Sequence, residues 1–249
     1  MPKLRIDILT LFPAYFEGPL TESMVKRAVA KKALDIRVHD LRKWAPDKHH
    51  KADDVPYGGG AGMVMKPEPL ARALTALKKG RKKVKTLLLS PQGRKFDHGL
   101  ALELAEEKSL ILVCGHYEGL DERVMRWIDG EVSLGDFVLT GGEPAAAVVV
   151  DCLARLLPGV VGDQRSVEKD SFFNGLLDYP HYTRPRLFKG MTVPEPLLSG
   201  NHARIERWRM KESLRNTLQK RPDLLESAKL SAEEQKILNE VKKELGERP

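Results

Sequence analysis

Short apolar runs that end in turn residues recur through roughly the first 158 residues, and helix-like stretches separate them. This alternation limits the fold more than any other feature of the chain. LRIDILTLF (4–12) and LDIRVHDL (34–41) alternate with period two, as a half-buried strand does. VKTLLLSP (84–91), LILVCG (110–115) and FVLTGG (137–142) are apolar throughout until a turn residue stops them, the pattern of strands buried on both faces. Helical periodicity near 19–32, 67–79, 97–107, 119–129 and 143–157 fills the intervals. Strand–helix alternation predicts an α/β fold with a mostly parallel sheet covered by helices.

Two stretches break the rhythm. Residues 45–66 (APDKHHKADDVPYGGGAGMVMK) form a long connection with four glycines, and residues 159–180 form another, polar in its first half. Connections beyond about 12–15 residues are uncommon in compact domains unless they are functional or disordered. YPHYTRPRLFKGMTVPEP follows and reads as extended, because a residue before proline avoids the helical region. Two helices are expected to close the chain. One spans about 201–220, and the other starts near Ser231, where SAEE forms a capping box with Glu234 and Ile237, Leu238, Val241 and Leu245 make an apolar face. The expected organisation is an α/β domain over 1–160, a linker over 161–176 and a mainly helical domain over 177–249.

Ligands of parallel α/β sheets sit beyond the carboxyl ends of the strands. Three such ends are rich in glycine: LSPQG (89–93), CGHYEG (114–119) and LTGGE (139–143). LTGGEPAAA has the strand–glycine–helix layout of a phosphate loop, but neither the lysine nor the glycine spacing that such a loop needs. Backbone groups and the apolar side chains of Leu89, Leu134 and Leu139 instead suit a flat, mostly uncharged group such as adenine. Any one of these loops, taken alone, also reads as a tight turn.

The formal net charge is +7, and its placement is uneven. Residues 181–221 hold ten Lys or Arg and three acids, so this segment carries the whole excess. A concentrated basic field attracts polyanions. Aromatic residues lie among the cations in YPHYTRPR, which fits stacking on unpaired bases of RNA. In the helix that follows, Ile205, Trp208, Leu214 and Leu218 recur near helical spacing, and Trp208 is expected in the core. Cys114 and Cys152 are the only cysteines and lie in no metal-binding pattern, which points to a reducing compartment and a cytoplasmic protein. His49–His50 lacks further ligands at useful spacing, so no metal cage is expected. No apolar run approaches the ~20 residues of a membrane span, and the first residues do not read as a signal peptide.

Longer stretches resemble a known family. LTLFP (9–13), DDVPYGGGAGM (53–63), LSPQGRKFD (89–97), VCGHYEGLDERV (113–124), SLGDFVLTGGE (133–143), RLLPGVVG (155–162), DSFFNGLLDYPHYTRP (170–185) and LLSGNHARIERWR (197–209) occur in order over nearly the whole chain. Together they resemble bacterial tRNA (guanine-N1)-methyltransferases, the TrmD family of the SPOUT class. Ala61, Phe137 and the text around Pro144 depart from the family pattern. The resemblance implies a trefoil knot over about 84–157, an exception to the rule against threaded chains. It implies S-adenosylmethionine (AdoMet) bound in that knot, a homodimer with an active site shared between subunits, and the tRNA anticodon arm as partner. The implied substrate atom is N1 of guanosine 37, just 3′ of the anticodon, where a guanosine precedes it.

Carried over by position, the AdoMet contacts are Leu88, Leu89, Ser90, Pro91, Gly115, Tyr117, Glu118, Ser133, Leu134, Gly135, Phe137, Leu139, Gly141 and Gly142. Asp170 matches the family's general base, and Arg155 the residue suggested to stabilise charge on guanine O6. On the residues alone, Asp170 also reads as a helix N-cap and Arg155 as a cation favoured at a helix C-terminus. The linker that carries Asp170 is expected to order when tRNA binds. The family is associated with magnesium, and no ligand cluster in the sequence places one. The competing functions are a SPOUT methyltransferase with another RNA target and a non-catalytic RNA-binding module.

Overall fold

The computed structural model describes residues 3–162 and 169–246, and divides the chain into a unit ending at Gln164 and a unit starting at Arg165. In the first unit, β1 (Leu4–Thr10), α1 (Ser23–Ala30) and β2 (Leu34–Asp40) are followed by the two-residue strands β3 (Asp53–Asp54) and β4 (Val64–Met65). Then come α2 (Pro67–Lys78), β5 (Lys85–Lys95), α3 (His98–Ala105), β6 (Ser109–Cys114), β7 (Gly130–Ser133) and α4 (Glu143–Leu156). Five strands form one sheet in the order β2-β1-β6-β5-β7, and every pairing in it is parallel. The expected α/β architecture with a mostly parallel sheet is present.

β6 is the centre. All six of its residues are buried, and the five after Ser109 alternate between two cores. Leu110, Leu112 and Cys114 pack with α1, α3 and α4, whereas Ile111 and Val113 pack with α2 and Val124. The register continues the layers, with Leu112 opposite Ile8 on one side and Leu87 on the other. A run with no polar residue facing out is therefore a direct consequence of helices on both faces.

β7 corrects the sequence reading. FVLTGG (137–142) is not a strand; the edge strand is GEVS, and residues 122–127 form a 3-10 helix in place of the expected longer helix. Phe137, Val138 and Leu139 are exposed by 55%, 85% and 39%, so their apolar run serves a surface and not the sheet. β5 is longer than its apolar text. Leu89 and Arg94 both align with Val132, so Ser90–Gly93 bulges out at the carboxyl end of the sheet. Pro91 is tolerated there because a bulge needs no ladder donor.

The glycine-rich connection is tied down by backbone bonds. Glu118 N–H donates to Met63 O (3.0 Å), Met65 N–H to Gly119 O (2.9 Å) and Asp121 N–H to Met65 O (3.0 Å).

In the second unit, a two-strand hairpin (Leu187–Phe188 with Met191–Thr192) interrupts the extended stretch. The helices His202–Lys220 and Ala232–Glu244 pack together around Leu176, Leu214, Ile237 and Leu238. The capping box at Ser231 is formed in both directions. Trp208 corrects another expectation: it is half-buried, lies outside that core and meets Tyr182 edge-on at 6.2 Å. Residues 163–168 of the expected linker lie outside the described residues.

One charge is fully buried in the sheet. Asp7 on β1 binds Arg5 (2.9 Å) and Arg81 (2.6 Å), with His39 Nε2 at 2.7 Å, and Arg81 also reaches Ser109. Burial alone would raise the Asp7 carboxyl. The hydrogen bonds with His39, Arg5 and Arg81 outweigh burial and hold it well below the usual carboxylate range. The depressed folded value makes this contribution complete above the unfolded value of about 4, and it is lost as pH falls further. Asp7→Asn should therefore destabilise the fold by about 3 kcal/mol near neutral pH. Urea midpoints should show the difference shrinking below about pH 4; a difference that stayed constant with pH would contradict the role of the charge.

Candidate active site

Three loops at the carboxyl edge of the sheet enclose a cleft of about 500 Å³. The β5 bulge supplies Ser90–Gln92, the loop after β6 supplies Gly115–Leu120, and the stretch after β7 supplies Leu134 and Phe137–Gly142. Thirteen of the fourteen residues expected to contact a cofactor line this one cleft. Gly135 does not. Its φ is +152°, and a side chain there would sit 2.9 Å from the Phe137 ring, so it shapes the bend that presents Phe137. Ser133 braces that bend, donating to Gly135 O and accepting from Gly135 N–H. Sequence reasoning missed Gln92, His116, Glu122, Met125, Val138 and Thr140 on the wall. Gln92, His116 and Thr140 lie within the glycine-rich strand ends themselves, whereas Glu122 and Met125 come from the 3-10 helix after the β6 loop, which only the chain's path could assign.

Two glycines let the chain close on itself. Gly142 N–H donates to Gly115 O at 2.8 Å, and His116 and Gly141 form an isolated antiparallel bridge. A Cβ on Gly142 would lie 2.7 Å from Cys114 Cα, and one on Gly141 would lie 2.3 Å from His116 Nδ1. The glycines admit protein backbone and a side chain, and thereby hold the cleft wall against the end of β6. Cys114 lies beneath this contact. Burial, and then the Glu143 carboxylate, push its thiol well above the usual range, so it stays protonated and is no nucleophile.

The cleft is acidic in a basic protein. Glu118, Glu122 and Glu131 line it, and its lining contains no Lys or Arg. A polyphosphate would meet three carboxylates there and no Lys or Arg. A ligand with an apolar ring system and a cationic centre fits the same surface.

The two residues matched to catalytic roles are each described within their own unit. Arg155 is exposed in the last turn of α4, where the helix dipole favours a cation. Asp170 is half-buried in a turn of the second unit, and its carbonyl accepts from Phe173 N–H at 3.3 Å. Lys169 next to it pairs with Glu206 at 3.1 Å, which joins this turn to the helix His202–Lys220. Among the described residues, no group of three or more His, Cys, Asp or Glu is placed to hold a metal ion, and no helix is long and apolar enough to cross a membrane.

The basic segment is less free than its composition implies. Arg207 pairs with Glu240, Lys211 and Arg215 with Glu244, Arg204 with Glu195, Arg209 with Glu206 and Arg221 with Asp223. Much of the long helix's charge is thus neutralised, in part by the helix Ala232–Glu244. Arg184, Arg186, Lys189 and Lys220 have no ion pair among the described residues. The first three flank or form the hairpin, beside exposed Tyr182, Phe188 and Met191.

The model of the family described as "tRNA (Guanine-1)-methyltransferase TrmD" matches residues 4–227. The chain belongs to this family. A relative named tRNA (guanine-N(1)-)-methyltransferase from Geobacter metallireducens is 55% identical over 96% of this chain and 98% of its own length. Relatives of the same name from Dehalococcoides mccartyi and Dictyoglomus turgidum are 55% and 54% identical, over 96% and 98% of this chain and 97% and 99% of their own lengths. The family match spans both the cleft and the turn that carries Asp170.

Gly142→Ala tests the closure. The atom it would strike is backbone and cannot rotate away, so the substitution should cost about 1–3 kcal/mol. Denaturation of the variant at wild-type midpoint would show that the close approach is not required.

Proposed function

We propose that this chain is a tRNA (guanine-N1)-methyltransferase that uses AdoMet as donor, acts in the cytoplasm and modifies guanosine 37 beside the anticodon. The observation that carries the reading is the cleft at the carboxyl edge of a parallel sheet, lined by leucines and three carboxylates with no Lys or Arg, in a chain of this family. Leu88, Leu89, Leu134 and Leu139 would hold the adenine, and Glu118, Glu122 and Glu131 favour the positive charge of the donor. Bound there, AdoMet supplies a methyl group on a sulfonium, whose departure as a neutral thioether needs no acid.

The harder problem is on the guanine. N1 of the neutral base carries a proton, so a base must accept it as the methyl group arrives. Asp170 is assigned that role, which is worth about 10²–10⁴-fold in rate. Loss of the proton moves negative charge onto O6. Arg155, a permanent cation at the end of α4, is assigned to stabilise it. The target base must leave its stack to reach these groups.

The path of the chain supports the trefoil knot as part of this reading. The connection from β6 to β7 crosses β5 on the α2 side, where Val124 packs. The chain then returns through Leu134–Gly142 to the end of β6, and α4 packs on the opposite face. A homodimer that shares the active site, with the segment around Asp170 completed on tRNA binding, is part of the same proposal. Magnesium is assigned no step.

Asp170→Ala and Arg155→Ala should each lower methyl transfer at least 100-fold while calorimetric AdoMet affinity stays near wild type. Near-full activity of Asp170→Ala would remove it as the base. For tRNA binding, the unpaired cations of the hairpin region are the expected phosphate contacts. Arg184→Glu combined with Arg186→Glu should weaken binding and flatten the slope of log K against log salt by about 1–2. An unchanged slope would exclude these two residues from the interface.

A further inference from the structure

Glu143 is a buried carboxylate that the transfer chemistry does not use. It is 4% exposed, opens α4 and lies behind the cleft wall rather than on it. A buried carboxylate needs partners to remain charged. Thr10 Oγ1, at the end of β1, donates to Oε1 at 2.6 Å. His116 Nδ1 faces Oε2 at 3.8 Å, and this ring nitrogen is buried with no hydrogen-bond partner. The helix N-terminus adds a favourable field. The line between imidazole and carboxylate runs past Gly141, whose Cβ would sit 2.3 Å from one and 2.4 Å from the other. Only glycine at 141 leaves that line open.

We propose that Glu143, Thr10 and His116 form a positioning latch for the methyl donor, resting on the assignment of the cleft to AdoMet. The carboxylate bonds the end of β1 to the turn that opens α4 and faces the loop after β6 across 3.8 Å, so three segments meet at one charge. Leu139, Thr140, Gly141 and Gly142 of that turn all line the cleft, so their placement depends on a charge behind them. His116 is the member that reaches the cleft; it lines the wall and packs 4.7 Å from the Phe12 ring. A proton on Nδ1 lets His116 donate toward Glu143 in either charge state of the ring.

The test is calorimetric titration of the full-length protein with AdoMet, together with initial rates at saturating tRNA and a thermal midpoint. Glu143→Gln should raise the Kd and KM for AdoMet about tenfold and change kcat by less than about threefold, a split that general destabilisation does not produce. Thr10→Val should shift Kd in the same direction by less. His116→Ala should match Glu143→Gln, and His116→Asn, whose neutral amide can donate toward the carboxylate from the place of Nδ1, should recover affinity to within about threefold. The double variant Glu143→Gln/His116→Ala should bind no more weakly than the weaker single variant. Wild-type affinity in the single variants, or effects that simply multiply in the double, would overturn the latch. If Glu143→Gln fails to fold, Gly141→Ala carries the test, because it drives the two groups apart and leaves both intact; wild-type affinity there also overturns the proposal. Failure of the wild-type protein itself to bind AdoMet would instead overturn the cleft assignment, and the latch with it.

Discussion

The structure of the first unit depends on the chain's return to the end of β6. Gly142 N–H meets Gly115 O at 2.8 Å, and the space over Cys114 admits no side chain at that point. β6 is covered on both faces, so a segment that approaches its carboxyl end can enter only through a gap left by its neighbours. The glycines make that gap wide enough. The same contact closes the cleft, starts α4 and brings Glu143 under the wall. Sheet, closure and binding surface are therefore one packing problem, and loss of the contact would be felt in all three.

Electrostatics divide the protein's tasks. The cleft gathers carboxylates and holds no Lys or Arg, which suits the cationic donor proposed for it. Among the described residues of the second unit, Arg184, Arg186 and Lys189 have no ion pair and lie at a short hairpin with exposed aromatic and apolar side chains, which suits a folded RNA. The long helix, whose text is the most basic, spends much of its charge on acids of the second unit. It acts as a brace as much as a binding face.

The parallel sheet was legible because both-face burial leaves an unmistakable text: LILVCG carries no charged residue, and the structure accounts for each of its side chains in one of two cores. The glycine-marked strand ends were legible for a related reason, since each permits a close approach. FVLTGG misled because an apolar run that walls a cleft has the same composition as one that fills a core. GEVS was missed because a short edge strand against the β5 bulge needs little apolar text. The charge pattern of residues 181–221 overstated the free charge of the long helix, because Glu240 and Glu244 lie outside that window and reach their partners only once the helices pack. Asp170 and Arg155 owe their assigned roles to family resemblance. Locally, one is an acid in a turn and the other a cation at a helix end, and neither feature is specific to catalysis. The Glu143–His116 pair had no sequence signal at all, because the two residues meet only where the chain closes on itself.

The activity proposed for the cleft is transfer of a methyl group to N1 of one tRNA guanine. Incubation of the purified protein with unmodified tRNA and AdoMet labelled in the methyl group, followed by mapping of the modified nucleotide, tests it most directly. The expected result is a single labelled product, 1-methylguanosine immediately 3′ of the anticodon. Absence of transfer, or a methyl group on another atom or at another position, would contradict it.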